Sequence, residues 1–134
     1  MIMHSPKPGA MFDRLLNLDV NVSAAYSFPM SDIIYFEDIA VGDSLALGPL
    51  TVSREEIIAF AEKYDPQPFH LSDEEAAGTH FGSLAASGWH TTALFMRILV
   101  SAIQDAPGLQ GGSLGAIGID ELRWLRPVRP GDTL

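Results

Sequence analysis

The chain contains no cysteine. That removes disulfide frameworks, thiol nucleophiles and thiolate-bound zinc or iron–sulfur centres together. Cations are scarce: 8 Lys plus Arg stand against 17 Asp plus Glu, a formal charge of −9. A chain of that sign repels phosphate backbones, so no nucleic-acid partner is expected. Long apolar runs are missing too. The most apolar stretch, Thr92 to Ile103, carries Arg97 in its middle and falls short of the roughly 20 residues a membrane span needs. The N-terminal residues include Lys7 and Arg14 but no apolar core of signal-peptide length. No membrane partner is expected, and the expected location is cytoplasmic. What is present, 134 residues at 47% hydrophobic, amounts to one domain with a core of its own.

The charge is unevenly placed. Residues 1–30 carry two acids and two bases and residues 106–134 carry three of each, so all nine excess negatives fall within residues 31–105. Arg123, Arg126 and Arg129 form a local basic stripe on this acidic chain. Such a stripe is either a solvated strand face or a contact for a phosphorylated ligand tail.

Residues 1–29 show no sustained helical period and are broken by Pro6, Pro8, Gly9 and Pro29. They read as a loosely ordered extension, with a domain over residues 30–134. Leu45, Leu47 and Leu50-Thr51-Val52 predict a first strand, interrupted at Gly48-Pro49. Ser53 with Glu56 is a capping box that opens a helix. Ile57, Phe60, Ala61 and Tyr64 fall on one face of it, and Pro66 forces a stop at Asp65. Ser72 with Glu75 opens a second, short helix closed by Gly78. Residues 88–104 form a helix apolar on nearly every side, which requires protein wrapped around it. A strand is predicted over Ile117 to Arg126, with a bulge where the alternation changes phase at Asp120-Glu121. Pro130-Gly131 fits a type II turn, and Thr133-Leu134 begins another strand.

Three positions offer chemistry. Asp65 stands at a helix C-terminus, where the macrodipole disfavours a carboxylate. Held there and partly desolvated, it is expected to have a raised pKa, which suits a proton carrier. Pro66 and Pro68 stiffen the link to His70, fixing the two groups relative to each other. An ordinary turn acid beside a packed histidine would give the same spacing. Gly88 opens the apolar helix, whose first amides lack intrahelical partners, so a polarised carbonyl could dock on its N–H. Ser87 before it reads as an N-cap. His70, His80 and His90 are ten residues apart, which matches no ligand spacing on one element, so no metal is expected. Ala85-Ala86-Ser87-Gly88-Trp89 lacks the first glycine of a nucleophile elbow, which argues against a serine hydrolase.

Asp65-Pro66-Gln67-Pro68-Phe69-His70, Phe81-Gly82 and Ala86-Ser87-Gly88-Trp89-His90-Thr91 together resemble the MaoC-like acyl dehydratases, relatives of the (R)-specific enoyl-CoA hydratases. Ile119-Asp120-Glu121-Leu122-Arg123-Trp124, then Arg126-Pro127-Val128-Arg129-Pro130-Gly131-Asp132, extend the likeness over roughly residues 32–134. The resemblance implies an α+β hot-dog fold, a long apolar helix wrapped by a curved antiparallel sheet. It implies a lyase that hydrates a trans-2-enoyl thioester of coenzyme A or a carrier protein, working as a homodimer or higher oligomer. No cofactor is implied beyond the thioester substrate itself. The family's water-activating pair falls on Asp65 and His70, and its carbonyl-polarising amide on Gly88. Gln67 stands where the commoner hydratase motif has Asn, which alters the pocket. The family sheet continues about three strands past the position of Leu134, so the chain is expected to stop before the sheet is complete. A hot-dog thioesterase and a non-catalytic acyl-binding module are the alternatives.

Overall fold

A computed structural model describes residues 25–26, 34–106, 108 and 115–134. The first helix, α1 (Arg54–Tyr64), starts where the capping box places it. Ser53 Oγ accepts the Glu56 N–H at 3.2 Å, and Glu56 Oε2 accepts the Ser53 N–H at 3.3 Å. Two of the donors that a helix start leaves open are thereby satisfied. The helix ends as Pro66 demands: the Asp65 N–H donates to Ala61 O at 2.9 Å, and the chain turns away. Pro68–His70 then form one 3₁₀ turn. The second helix, α2 (Asp73–Ala77), is capped by Ser72 Oγ on the Glu75 N–H and closed at Gly78. Asp73 ties three pieces together. It ion-pairs with Arg54 and accepts the Leu84 N–H at 2.8 Å.

The third helix, α3 (Gly88–Asp105), has one buried line: His90, Leu94, Ile98 and Ala102, four residues apart. Leu94 and Ile98 pack with Leu50, Val52, Ile57, Leu84 and Ala86 into the core. Within the described residues the helix is not wrapped on every side. Trp89, Phe95, Met96 and Val100 are exposed, from 42% to 59%.

Strand content is low among the described residues. A two-stranded antiparallel ladder pairs β1 (Ala25–Tyr26) with β2 (Leu45–Ala46). It therefore joins two residues of the stretch read as an extension to the domain; the remainder of residues 1–29 lies outside the described residues. Residues 50–52 run antiparallel to the last residues of the chain. Leu50 and Leu134 exchange both backbone hydrogen bonds, and Val52 bonds Gly131 and Asp132. The turn that enters this pairing is the expected one: Gly131 has φ +88°, and the Asp132 N–H donates to Arg129 O at 3.0 Å. The strand predicted over Ile117 to Arg126 is not found. Residues 115–127 are exposed, with Ile117 and Leu125 at 111% and 87%. A strand is defined by a ladder, and no described residue supplies one here.

His90 carries a consequence for acid stability. Its imidazole is 5% exposed, stacks on Phe60 at 4.8 Å, and its Nδ1 has no hydrogen-bond partner. Burial pushes its pKa from 6.5 down to about 4. As pH falls from 6.5 toward 4, the unfolded chain binds a proton that the folded chain refuses, so stability falls; above 6.5 both states are neutral and nothing is lost. The loss by pH 4 is on the order of 2–3 kcal/mol. His90→Phe keeps the ring and removes the titration. Urea midpoints at pH 7 and pH 4.5 should diverge for the native chain by more than for the variant. Equal shifts in the two proteins would contradict this account of His90.

Candidate active site

Local turns place Asp65 and His70, and the longer-range bonds from Ser87 to Asp65 and between His70 and Ala85 bring Gly88 beside them. Asp65 leaves α1 at its C-cap, the proline-stiffened turn carries His70 back, and α3 begins at Gly88 beside both. Asp65, His70, Gly88 and Trp124 line one cavity of about 530 Å³. His70 is 4% exposed. Its Nδ1 lies 2.7 Å from Ala85 O. A carbonyl can only accept, so Nδ1 holds the proton and Nε2 is left as an acceptor. Nε2 points at Asp65 Oδ2 across 3.5 Å. Phe69 stands edge-on to the imidazole at 4.5 Å and holds its plane.

Asp65 is fixed from both sides. Ser87 Oγ donates to Oδ2 at 2.7 Å, and Gln67 Nε2 donates to Oδ1 at 2.8 Å. The Ser87 hydrogen bond is the main cause that holds the carboxyl below the usual carboxylate range. Partial burial works against it, the Gln67 bond adds to it, and so does His70 whenever its imidazole is protonated. The raised pKa expected from the helix-end position is therefore corrected. Two donors aimed at the charged form outweigh the desolvation.

Ser87 does more than cap. Fully buried, it accepts the Trp89 N–H at 3.2 Å as an N-cap while its hydroxyl proton goes to Asp65. The sequence signal for this second role was available only in the adjacency of Ser87 and Gly88, because the partner lies 22 residues away. Ser87→Ala should raise the Asp65 pKa, because it removes the main hydrogen bond that holds the carboxyl down. A side-chain carboxyl titration by NMR reads this directly, and an unchanged Asp65 midpoint would rule out Ser87 as the group that holds it.

The Gly88 N–H has no partner among the described residues, and Gly88 lines the cavity at the start of α3. Trp124 lies over it. A Cβ at position 88 would come within 2.7 Å of Trp124 Cε3 and closer to Cδ2 and Cε2. Trp124 is kept there by its Nε1–H, which donates to Thr92 Oγ1 at 3.1 Å, and by an edge contact with Trp89 at 5.4 Å. No spacing rule in the sequence marks Trp124 as a neighbour of Gly88. His80 is exposed at the rim of the same cavity, whereas His90 lies in the core.

Chemically, the arrangement presents an oriented acceptor nitrogen, an ionised carboxylate beside it, and a free amide donor at the same cavity. Comparison with known proteins identifies the family. Residues 38–134 match the family model described as MaoC like domain. The chain is 36% identical over 106 residues to a 3-hydroxybutyryl-CoA dehydratase of Methylorubrum extorquens, covering 78% of this chain and 62% of that protein. It is 33% identical over 102 residues to an (R)-specific enoyl-CoA hydratase of Rhodospirillum rubrum, covering 75% of this chain and 65% of the relative. Among solved structures it resembles a MaoC-like dehydratase from Rhodospirillum rubrum, with TM-score 0.56 and 45% identity over 75% of this chain and 65% of that one. A monoamine oxidase regulatory protein from Archaeoglobus fulgius aligns with TM-score 0.67 at 31% identity, over 79% and 69% of the two chains. The chain thus spans 62% and 65% of the length of the two named enzymes. With the motif residues gathered in one cavity and the family model covering most of the chain, this protein belongs to the MaoC-like dehydratase family and takes its hot-dog fold.

Proposed function

We propose that this chain hydrates a trans-2-enoyl thioester to a 3-hydroxyacyl thioester, reversibly, with Asp65, His70 and Gly88 as its catalytic groups. The observation that carries the reading is one cavity lined by His70 with its Nε2 free to accept, the Asp65 carboxylate and the Gly88 amide.

Water placed between His70 Nε2 and Asp65 can donate a proton to each, which aims its oxygen into the cavity. Asp65 already accepts two hydrogen bonds and is held in its charged form. It is a poor final acceptor for a proton, so His70 Nε2 takes it, and Asp65 stabilises the resulting imidazolium. The water oxygen bonds to the β-carbon, and the π pair moves through the α-carbon toward the thioester oxygen. Negative charge develops on that oxygen where the Gly88 N–H can meet it. The enolate then collapses, taking the proton from His70 at the α-carbon. One water is added, one C–O and one C–H bond form, and the histidine is restored. No separate cofactor enters these steps.

The test follows crotonyl-CoA with the full chain, monitoring absorbance of the conjugated enoyl thioester and free thiol together. Hydration lowers absorbance without thiol. Thiol release would replace this reading by thioester hydrolysis, and neither change by acyl binding alone. The acyl chain length is open to the same assay with a panel of enoyl thioesters. The catalytic unit is proposed to be a homodimer, in keeping with the half-exposed apolar side chains along α3. A monomer by light scattering of the folded chain would refute that part.

A further inference from the structure

The three arginines of the basic stripe have three different fates. Arg123 ion-pairs with Glu121 on the surface. Arg129 is absorbed by the fold. Its Nη2 donates to Phe81 O at 2.7 Å and its Nη1 to Ser83 O at 3.2 Å, with further contacts to Ser83 Oγ and Leu84 O. It pins the loop before α3 to the turn at Pro130-Gly131. Arg126 makes no ion pair or hydrogen bond among the described residues, and it lines the same cavity as Asp65, His70 and Gly88.

Among the described residues, Asp65 is the only carboxylate that lines this cavity, and it sits at the catalytic end beside α3. The other wall runs through Trp124 to Val128, with Arg126 exposed along it. On a chain of net charge −9, an unpaired cation on the cavity wall is where an anionic ligand group gains most from charge-assisted hydrogen bonding. A thioester seated with its carbonyl on Gly88 must lead its tail out of the cavity. In both coenzyme A and carrier proteins that tail is pantetheine ending in a phosphate.

We propose that Arg126 binds the phosphate of the phosphopantetheine tail of the acyl thioester. The inference rests on the enoyl-thioester reading above for the identity of the ligand. Its test is binding, which does not require turnover. Trp89 and Trp124 both line the cavity, so their fluorescence reports occupancy. The full chain is titrated with crotonyl-CoA, crotonyl phosphopantetheine and crotonyl pantetheine, the last without phosphate.

The native chain should bind the two phosphate-bearing esters about five- to twentyfold more tightly than the phosphate-free one. Arg126→Ala should erase that preference, while Arg123→Ala keeps it. Equal binding of the CoA and phosphopantetheine esters supports recognition of the tail alone, as a carrier protein would present it. A tighter CoA complex, lost in the same variant, supports free coenzyme A as the source. Absence of any phosphate preference in the native chain, or a preference that survives Arg126→Ala, overturns the proposal. Hydration is measured on the same samples. A phosphate preference without hydration leaves the Arg126 site standing and removes the catalytic reading instead.

Discussion

Asp65→Asn should fold normally and lose at least about a hundredfold in hydration rate. The substitution preserves shape, and the amide oxygen can still accept from Ser87, so the end of α1 and the start of α3 keep their relation. What disappears is the negative charge beside His70 Nε2, 3.5 Å away. Without it the imidazolium formed on proton abstraction is unsupported, and one partner for the water is lost. General acid–base roles are worth on the order of 10²–10⁴ in rate. His70→Gln should lose a comparable factor. If the two residues act as a unit, the double variant is little slower than either single one. A turn acid with no part in the chemistry behaves differently: Asn there removes a charge from a helix C-terminus and costs no activity. A folded Asp65→Asn protein at full rate would take Asp65 out of the mechanism.

Gly88→Ala is expected to cost on the order of a hundredfold in rate, the scale of losing one oxyanion donor. Backbone strain is not the cause, since Gly88 does not have a positive φ. Alanine is also the better helix former. The cost is the added methyl, which overlaps the Trp124 ring. Either the ring leaves Thr92, or the first turn of α3 shifts and the free amide shifts with it. Displacement of Trp124 registers in tryptophan emission alongside the rate. Opening the space should separate the two effects. Gly88→Ala combined with Trp124→Ala should be no slower than Trp124→Ala alone. Full activity and unaltered emission in Gly88→Ala would show that nothing depends on this close approach.

Much of this site was legible along the chain because its parts are local. The capping box at Ser53, the stop before Pro66 and the turn through Pro68 to His70 are short-range rules, and the structure obeys them. The type II turn at Pro130-Gly131 was equally readable, since both residues set their own backbone angles. Long-range contacts were not readable. The Ser87 bond to Asp65, which reverses the expected direction of the pKa shift, joins residues 22 apart. Trp124 reaches Thr92 across 32 residues, and Arg129 reaches Phe81 across 48. Gln67, expected to alter the pocket as a longer amide, lines the cavity, and its donation to the Asp65 carboxylate was not readable from the motif. The strand expected over Ile117 to Arg126 failed for a related reason. Alternating side chains state which faces a segment could bury, but a ladder depends on a neighbour that the pattern does not name.

Incubation of the full chain with crotonyl-CoA in heavy-oxygen water, followed by mass spectrometry of the acyl products, tests the central claim most directly. Conjugate addition at the Asp65–His70 pair places one heavy oxygen on the β-carbon of an intact 3-hydroxybutyryl thioester, and Asp65→Asn should slow that incorporation at least about a hundredfold. Heavy oxygen in a free carboxylate, with coenzyme A released and the double bond retained, would contradict the account.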